Sequence, residues 1–143
     1  VVITAPAKDA DGAAGQTVLM GINDDNLKTC AISSNGSCTT NSISSVMQIL
    51  VEELGIKKAF LNTTHSYTAT QSLIDGPVRG DDWKRGRAAA ANISPSHTGA
   101  AIATTRAVTS LAGKFDGVSM RIPTITGSLS CIVFSSPRPT TVE

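Results

Sequence analysis

Cys38 stands in the polar run Ser33-Ser34-Asn35-Gly36-Ser37-Cys38-Thr39-Thr40-Asn41, and helical periodicity follows at once. Ile43, Val46, Met47, Leu50, Val51 and Leu54 recur at three- and four-residue spacing, the mark of an amphipathic helix with one buried face. Ser37, Thr39 and Thr40 can each accept from an otherwise unbonded backbone N–H, so the helix is expected to begin here. Gly55 suits its left-handed end. A thiol at a helix N-terminus meets unbonded N–H groups and the positive end of the helix dipole, which favour a thiolate nucleophile. The other reading of such a residue is a buried structural thiol.

A nucleophilic thiol needs a base, and His65 lies 27 positions further on. That interval accommodates one helix, a turn and half of a returning strand. Lys58 to Thr68 is rich in β-formers and reads as that strand. A lone histidine on a strand is otherwise a satisfied structural residue. Ala100 to Leu111 reads as a second helix, capped by Thr98 and stopped by Gly113, so Thr98 and Gly99 sit where anions bind readily. His97 is read as a neighbour of that anion site rather than an acid–base group.

The remaining elements are shorter. Val1 to Thr4, Thr17 to Ile22 and Lys28 to Ser33 read as strands, separated by a small-residue loop over Ala10 to Gly15 and a turn at Asn23-Asp24-Asp25-Asn26. Asp75 to Ala90 is the most polar stretch, with Arg79, Lys84, Arg85 and Arg87 around Trp83, and reads as a loop that Trp83 anchors. Ala88 to Ser94 is regular. Phe115 to Pro123 and Ile125 to Ser135 read as two strands. In the first, Val118, Met120 and Ile122 would face the core, with Ser119 and Arg121 on the opposite face. The expected fold is α+β, a mostly antiparallel mixed sheet with helices on one face.

The 143 residues suffice for one domain with a core. A net charge of +1 leaves no field for nucleic acid or acidic membrane, and 3% aromatic content offers no base-stacking platform. No apolar run reaches membrane-spanning length. Cys30, Cys38 and Cys131 have no metal-like spacing, so no metal is expected, and they suit a reduced, cytoplasmic setting. The sequons at Asn35, Asn62 and Asn92 are read as accidental.

Ser-Asn-Gly-Ser-Cys-Thr-Thr-Asn, ending at Asn41, resembles the active-site signature of phosphorylating glyceraldehyde-3-phosphate dehydrogenases, which usually carry alanine where Gly36 stands. The likeness continues at Thr63 to Gln71, at Arg85-Gly86-Arg87-Ala88-Ala89, at Thr98-Gly99-Ala100-Ala101 and at Arg121-Ile122-Pro123-Thr124, in the family's order. It implies that Cys38 forms a thiohemiacetal and then a thioester, with His65 as base. It implies that Ser37, Thr39, Thr68, Arg85, Thr98, Gly99 and Arg121 bind the substrate's phosphate and inorganic phosphate. It implies NAD or NADP as cofactor, with Thr4 near the nicotinamide, and a homotetramer. Residues 1–34 would then close a nucleotide-binding domain, and 35–143 would form a catalytic domain cut short at its C-terminal end. Ser42 stands where many members have a second cysteine, which removes an oxidation partner and leaves the nucleophile. Gly36 is expected to loosen its turn entropically. The rival readings are an erythrose-4-phosphate dehydrogenase, a fragment acting only by association, and a phosphate-binding module without redox work.

Overall fold

Ser37 starts the longest helix. Its hydroxyl accepts from the Thr40 backbone N–H at 3.1 Å, and α1 runs from there over Cys38–Glu53. Leu54 is the C-cap, and Gly55 follows at φ +74°. The helix therefore begins and ends where its capping chemistry directs. The structure is a computed structural model and describes residues 1–8, 11–78 and 80–141. The expectations that touch Ala10 and Arg79 lie outside those residues.

The other elements are β1 (Val2–Ile3), β2 (Gly15–Thr17), β3 (Ile32–Ser34), β4 (Lys58–Ser66), β5 (Ser94–Ser96), α2 (Ala100–Ala107), β6 (Phe115–Ile122) and β7 (Ser128–Ser135). The chain divides into two compact units. The first comprises Val1–Phe60, Gly99–Asp116 and Val133–Glu143, and the second Leu61–Thr98 and Gly117–Ile132. Strands β4, β6 and β7 begin in one and end in the other.

In the first unit, β1, β3 and β2 form a parallel sheet in that order. α1 packs against α2, and Ile43 and Met47 of α1, Ala100 and Ala101 of α2, Leu19, Val108 and Leu111 are all buried. At the centre of the helix pair, Ser44 Oγ and Thr104 Oγ1 lie 2.9 Å apart, both fully buried. Asp11 accepts from the Thr17 N–H at 2.9 Å and from its hydroxyl at 3.0 Å, and Arg106 of α2 reaches the same carboxylate at 3.4 Å. Among the described residues, no helix is long and apolar enough to cross a membrane.

Several expected elements are shorter than their patterns. The strand read over Thr17 to Ile22 ends at Thr17. Asn23 intercepts the backbone beyond it, accepting from the Leu19 N–H at 2.8 Å and donating to the Thr17 carbonyl at 2.9 Å. Val18 and Leu19 are buried all the same, so their hydrophobicity marks burial rather than strand. The strand read over Lys28 to Ser33 starts only at Ile32, because a 3-10 turn takes Asp24–Lys28. The second helix stops at Ala107. Val108 leaves helical space at ψ 80°, and a 3-10 turn, Thr109–Leu111, completes the segment. Its β-branched residues hold a helix weakly. Its N-cap is Gly99, without a side-chain cap bond, in place of the expected Thr98. The regular segment expected over Ala88 to Ser94 is mostly turn, with β5 beginning at Ser94.

The four-stranded sheet has the order β5-β6-β4-β7. β5 and β6 pair antiparallel, Ser94 opposite Arg121 and Ser96 opposite Ser119. On β4, Thr63 bonds Ser130 and the Ser66 N–H reaches the Gly127 carbonyl, so β7 runs antiparallel to it. Leu61 lies against Gly117 and His65 against Arg121, so β6 runs parallel to β4. The architecture is α+β with a mixed sheet, as expected.

The facing of β6 is the reverse of the expected one. Ser119 is buried, Arg121 is half-buried, and Val118 and Met120 are exposed. The reason is steric and polar together. A Cβ at Gly117 would stand 2.8 Å from Leu61, so glycine is needed at that position, and the small polar residues Thr63, Ser94, Ser96 and Ser119 are buried.

The Ser44–Thr104 bond gives a sharp expectation. Ser44→Ala should cost about 1–3 kcal/mol, because the Thr104 hydroxyl loses its partner in a dry environment. The double substitution Ser44→Ala with Thr104→Val should cost less than Ser44→Ala alone. Urea unfolding of the three proteins measures both, and an additive double mutant contradicts the pairing.

Candidate functional site

Cys38 is the first residue of α1, and its thiol is exposed. The turn before it is tied down from both ends. Asn41 donates to the Asn35 carbonyl at 2.7 Å and to the Ser37 carbonyl at 2.9 Å. The Ser37 hydroxyl both caps the helix and meets the Thr40 hydroxyl at 2.8 Å. Gly36 has φ +68°, a left-handed conformation, and a Cβ there would lie 3.1 Å from Thr40 Cγ2. Glycine is thus favoured by this backbone, where another residue would be strained, beyond the entropic loosening expected of it. Thr39 is buried in the first turn. At the start of α2, Gly99 is exposed and Thr98 half-buried. Thr4 is exposed just after β1.

The second unit holds the other groups. His65 stands near the end of β4, where its Nδ1 lies 2.8 Å from the Ser66 carbonyl oxygen. Arg121, on the neighbouring strand β6, places Nη1 at 2.9 Å from that same Nδ1 and donates to the Ser66 carbonyl at 3.0 Å. The histidine and one predicted phosphate arginine are therefore in direct contact. Parallel pairing of β4 with β6 brings together residues 56 positions apart.

A second polar group forms around Arg85. Asp82 accepts from its Nε at 2.8 Å, Thr70 accepts from Nη1, and Ser96 lies 3.5 Å from Nη2. Thr68 bonds Thr70 at 3.0 Å. Two predicted anion ligands, Thr68 and Arg85, thus share one network. β5 carries Ser96 in this network and Ser94 opposite Arg121. Asp82 is a salt-bridge partner that sequence reasoning missed; its i, i+3 spacing to Arg85 in a 3-10 turn was the available signal. Ser66, Thr70 and Ser96 carried no comparable signal. Trp83 does not anchor the loop: it is 68% exposed, with the Lys84 ammonium 6.0 Å from its ring centre. His97 is exposed beside Thr98.

The polar loop is closed by a further contact. Asp75 accepts from the Ala88 N–H at 2.8 Å and from Arg87 Nε at 3.2 Å. The Ala88 hydrogen bond holds the Asp75 carboxyl below its ordinary range; desolvation opposes this and Arg87 assists it.

These features define a class of protein: α+β domains with an exposed thiol opening a helix, and with an imidazole and guanidinium groups borne on and around a mixed sheet. The sequence profile of the glyceraldehyde 3-phosphate dehydrogenase C-terminal domain matches residues 37–143, and the chain belongs to that family. It is similar to a glyceraldehyde-3-phosphate dehydrogenase of Streptomyces coelicolor, with 43% identity over 100% of this chain and 41% of the relative. The enzyme of Ogataea parapolymorpha is 41% identical over the same shares. Glyceraldehyde-3-phosphate dehydrogenase 1 of Kluyveromyces lactis is 44% identical over 87% of this chain and 36% of its own length. The chain thus spans well under half the length of these relatives.

Two expectations follow. Gly36→Ala should destabilise the first unit by about 1–2 kcal/mol, the cost of a Cβ in a left-handed conformation; a denaturation midpoint at or above wild type contradicts the required turn. Because the folded-state pKa of Asp75 is depressed, its contribution is present above the unfolded-state value and is lost as pH falls through the folded one. Acid should therefore expose the Ala88 N–H to hydrogen exchange, and Asp75→Asn should remove that acid dependence.

Proposed function

We propose that this chain supplies the thiol, the base and the anion ligands of a phosphorylating glyceraldehyde-3-phosphate dehydrogenase. The observation that carries this reading is the exposed Cys38 thiol on the first turn of α1, within the stretch that matches the family. In this reading Cys38, as thiolate, attacks the aldehyde carbon of glyceraldehyde 3-phosphate and forms a thiohemiacetal. Its backbone N–H, at the helix start, stabilises the oxyanion in this reading. His65 takes the hydroxyl proton during oxidation to the thioester. Inorganic phosphate then releases the acyl group as 1,3-bisphosphoglycerate. Ser37, Thr39, Thr68, Arg85, Thr98, Gly99 and Arg121 are the phosphate ligands, and the networks of Arg85 and Arg121 suit guanidinium recognition of phosphate.

A nicotinamide nucleotide, NAD or NADP, supplies the hydride acceptor when bound. Among the described residues only the exposed Thr4 is assigned towards it, and no strand–glycine–helix turn of the dinucleotide type is present. The described residues do not amount to a nucleotide site. Residues 1–34 are assigned to the close of a nucleotide-binding domain and 35–143 to the catalytic domain. A reduced cytosolic compartment suits the three thiols.

A second reading, action through association alone, is favoured by the second unit's surface. Val118, Met120, Ile93 and Leu129 are 42%, 38%, 68% and 72% exposed. Apolar side chains so exposed suit contact with further copies, and a homotetramer is the assembly we assign.

The test is aldehyde- and phosphate-dependent NADH formation by the protein that carries this sequence together with a nucleotide-binding domain. Cys38→Ser should abolish it, and His65→Gln should slow it by about 10²–10⁴-fold. Turnover unaffected by Cys38→Ser overturns the mechanism. Faster turnover on erythrose 4-phosphate reassigns the substrate. Self-association with no NADH formed supports the second reading.

A further inference from the structure

We propose that Arg121 sets the tautomer of His65, and that a phosphate-class anion drawing Arg121 away switches it. The inference rests on the proposed function only for the use made of the ring; the switch itself is a matter of three atoms on two strands. Arg121 Nη1 lies 2.9 Å from His65 Nδ1 and 3.0 Å from the Ser66 carbonyl oxygen, and that oxygen lies 2.8 Å from Nδ1.

A guanidinium nitrogen can only donate. The two N–H bonds of Nη1 therefore serve two acceptors, the Nδ1 lone pair and the carbonyl. An Nδ1 that accepts carries no proton, so the neutral ring bears its proton on Nε2. In that tautomer Nε2 is a donor and has no lone pair with which to take a proton. Without the guanidinium, two lone pairs would face each other across 2.8 Å. Moving the ring proton resolves this. Nδ1–H then donates to the Ser66 carbonyl, and Nε2 gains the lone pair of a base. One proton leaves Nε2 for solvent and one is taken from solvent at Nδ1, so the ring stays neutral.

Phosphate oxyanions are suited to draw the guanidinium off, because they offer paired oxygens to its fork, and those charge-assisted bonds exceed a bond to a neutral imidazole. The surroundings favour the same ligand class. Arg121 lies opposite Ser94 on β5, and Ser96 of that strand lies 3.5 Å from Arg85 Nη2, so a second guanidinium serves the same strand. Arg121 is thus a positioning residue for His65, and the ring becomes a competent base only when the anion is in place.

The two histidines of the chain make this observable. Two-bond ¹H–¹⁵N correlation spectra of the whole chain, labelled at histidine and held at a pH where the rings are neutral, distinguish the tautomers. Exposed His97 is the internal reference. Phosphate-free protein should show His65 protonated at Nε2. Titration with inorganic phosphate should convert it to the Nδ1–H pattern, and chloride at matched ionic strength should not. Arg121→Met should show the Nδ1–H pattern without phosphate and no further response. Nδ1–H in phosphate-free wild type, or a pattern unmoved by phosphate, overturns the proposal, and the wild-type titration decides alone if the variant does not fold. A ring that switches here, with no aldehyde turnover in the protein that also carries a nucleotide-binding domain, supports the switch and removes the proposed function. Turnover with an unmoving ring removes the switch only.

Discussion

The position of Ser37 governs what Cys38 can be. A hydroxyl that accepts from Thr40 N–H makes residue 38 the first helical residue. One residue further along, the thiol would enter the helix proper; one residue earlier, it would sit in the turn. Asn41 reinforces the same choice by bonding back to Asn35 and Ser37, and Gly36 supplies the left-handed step that lets the chain fold onto itself there. The cap, the return bonds and the glycine act as one local unit. Each requires the others' geometry.

The rest of the first unit holds that helix start in place. Ile43 and Met47 bury the inner face of α1, and the Ser44–Thr104 bond ties it to α2. A hydrophobic interface alone tolerates sliding, because burial has no direction. A single buried hydroxyl pair does not, because a shift leaves both groups without partners. Asp11, bonding Thr17 and Arg106, joins β2 to α2.

The second unit is built differently. Its buried residues are largely small and polar, with Leu61 and Ala89 its buried apolar ones. Val118 and Met120 of β6 and Leu129 of β7 are exposed. Close approach of Gly117 to Leu61 explains the glycine at that position, beside the buried Thr63 and Ser119. Such a face places hydroxyls and guanidinium groups within hydrogen-bond reach of one another. It gains its order from bonds such as Thr63–Ser130 and Arg85–Ser96 rather than from apolar volume. A face of this kind suits an anion better than a core, and leaves the apolar side to other contacts.

Much of the first helix was legible in the sequence. Capping residues and Gly55 are local signals that act within a few residues of where they stand, whereas the apolar spacing also named Val46, which is 43% exposed. The strands β4, β6 and β7 were legible for the same reason. Tertiary structure alone decided which side of β6 faces inward, because a period of two names two faces and does not choose between them. It also decided that Val18 and Leu19 are buried outside any strand, since Asn23 claims the backbone groups a strand would need. Above all it decided the contact of Arg121 with His65. Local sequence names both residues, and only the pairing of two distant strands makes them neighbours.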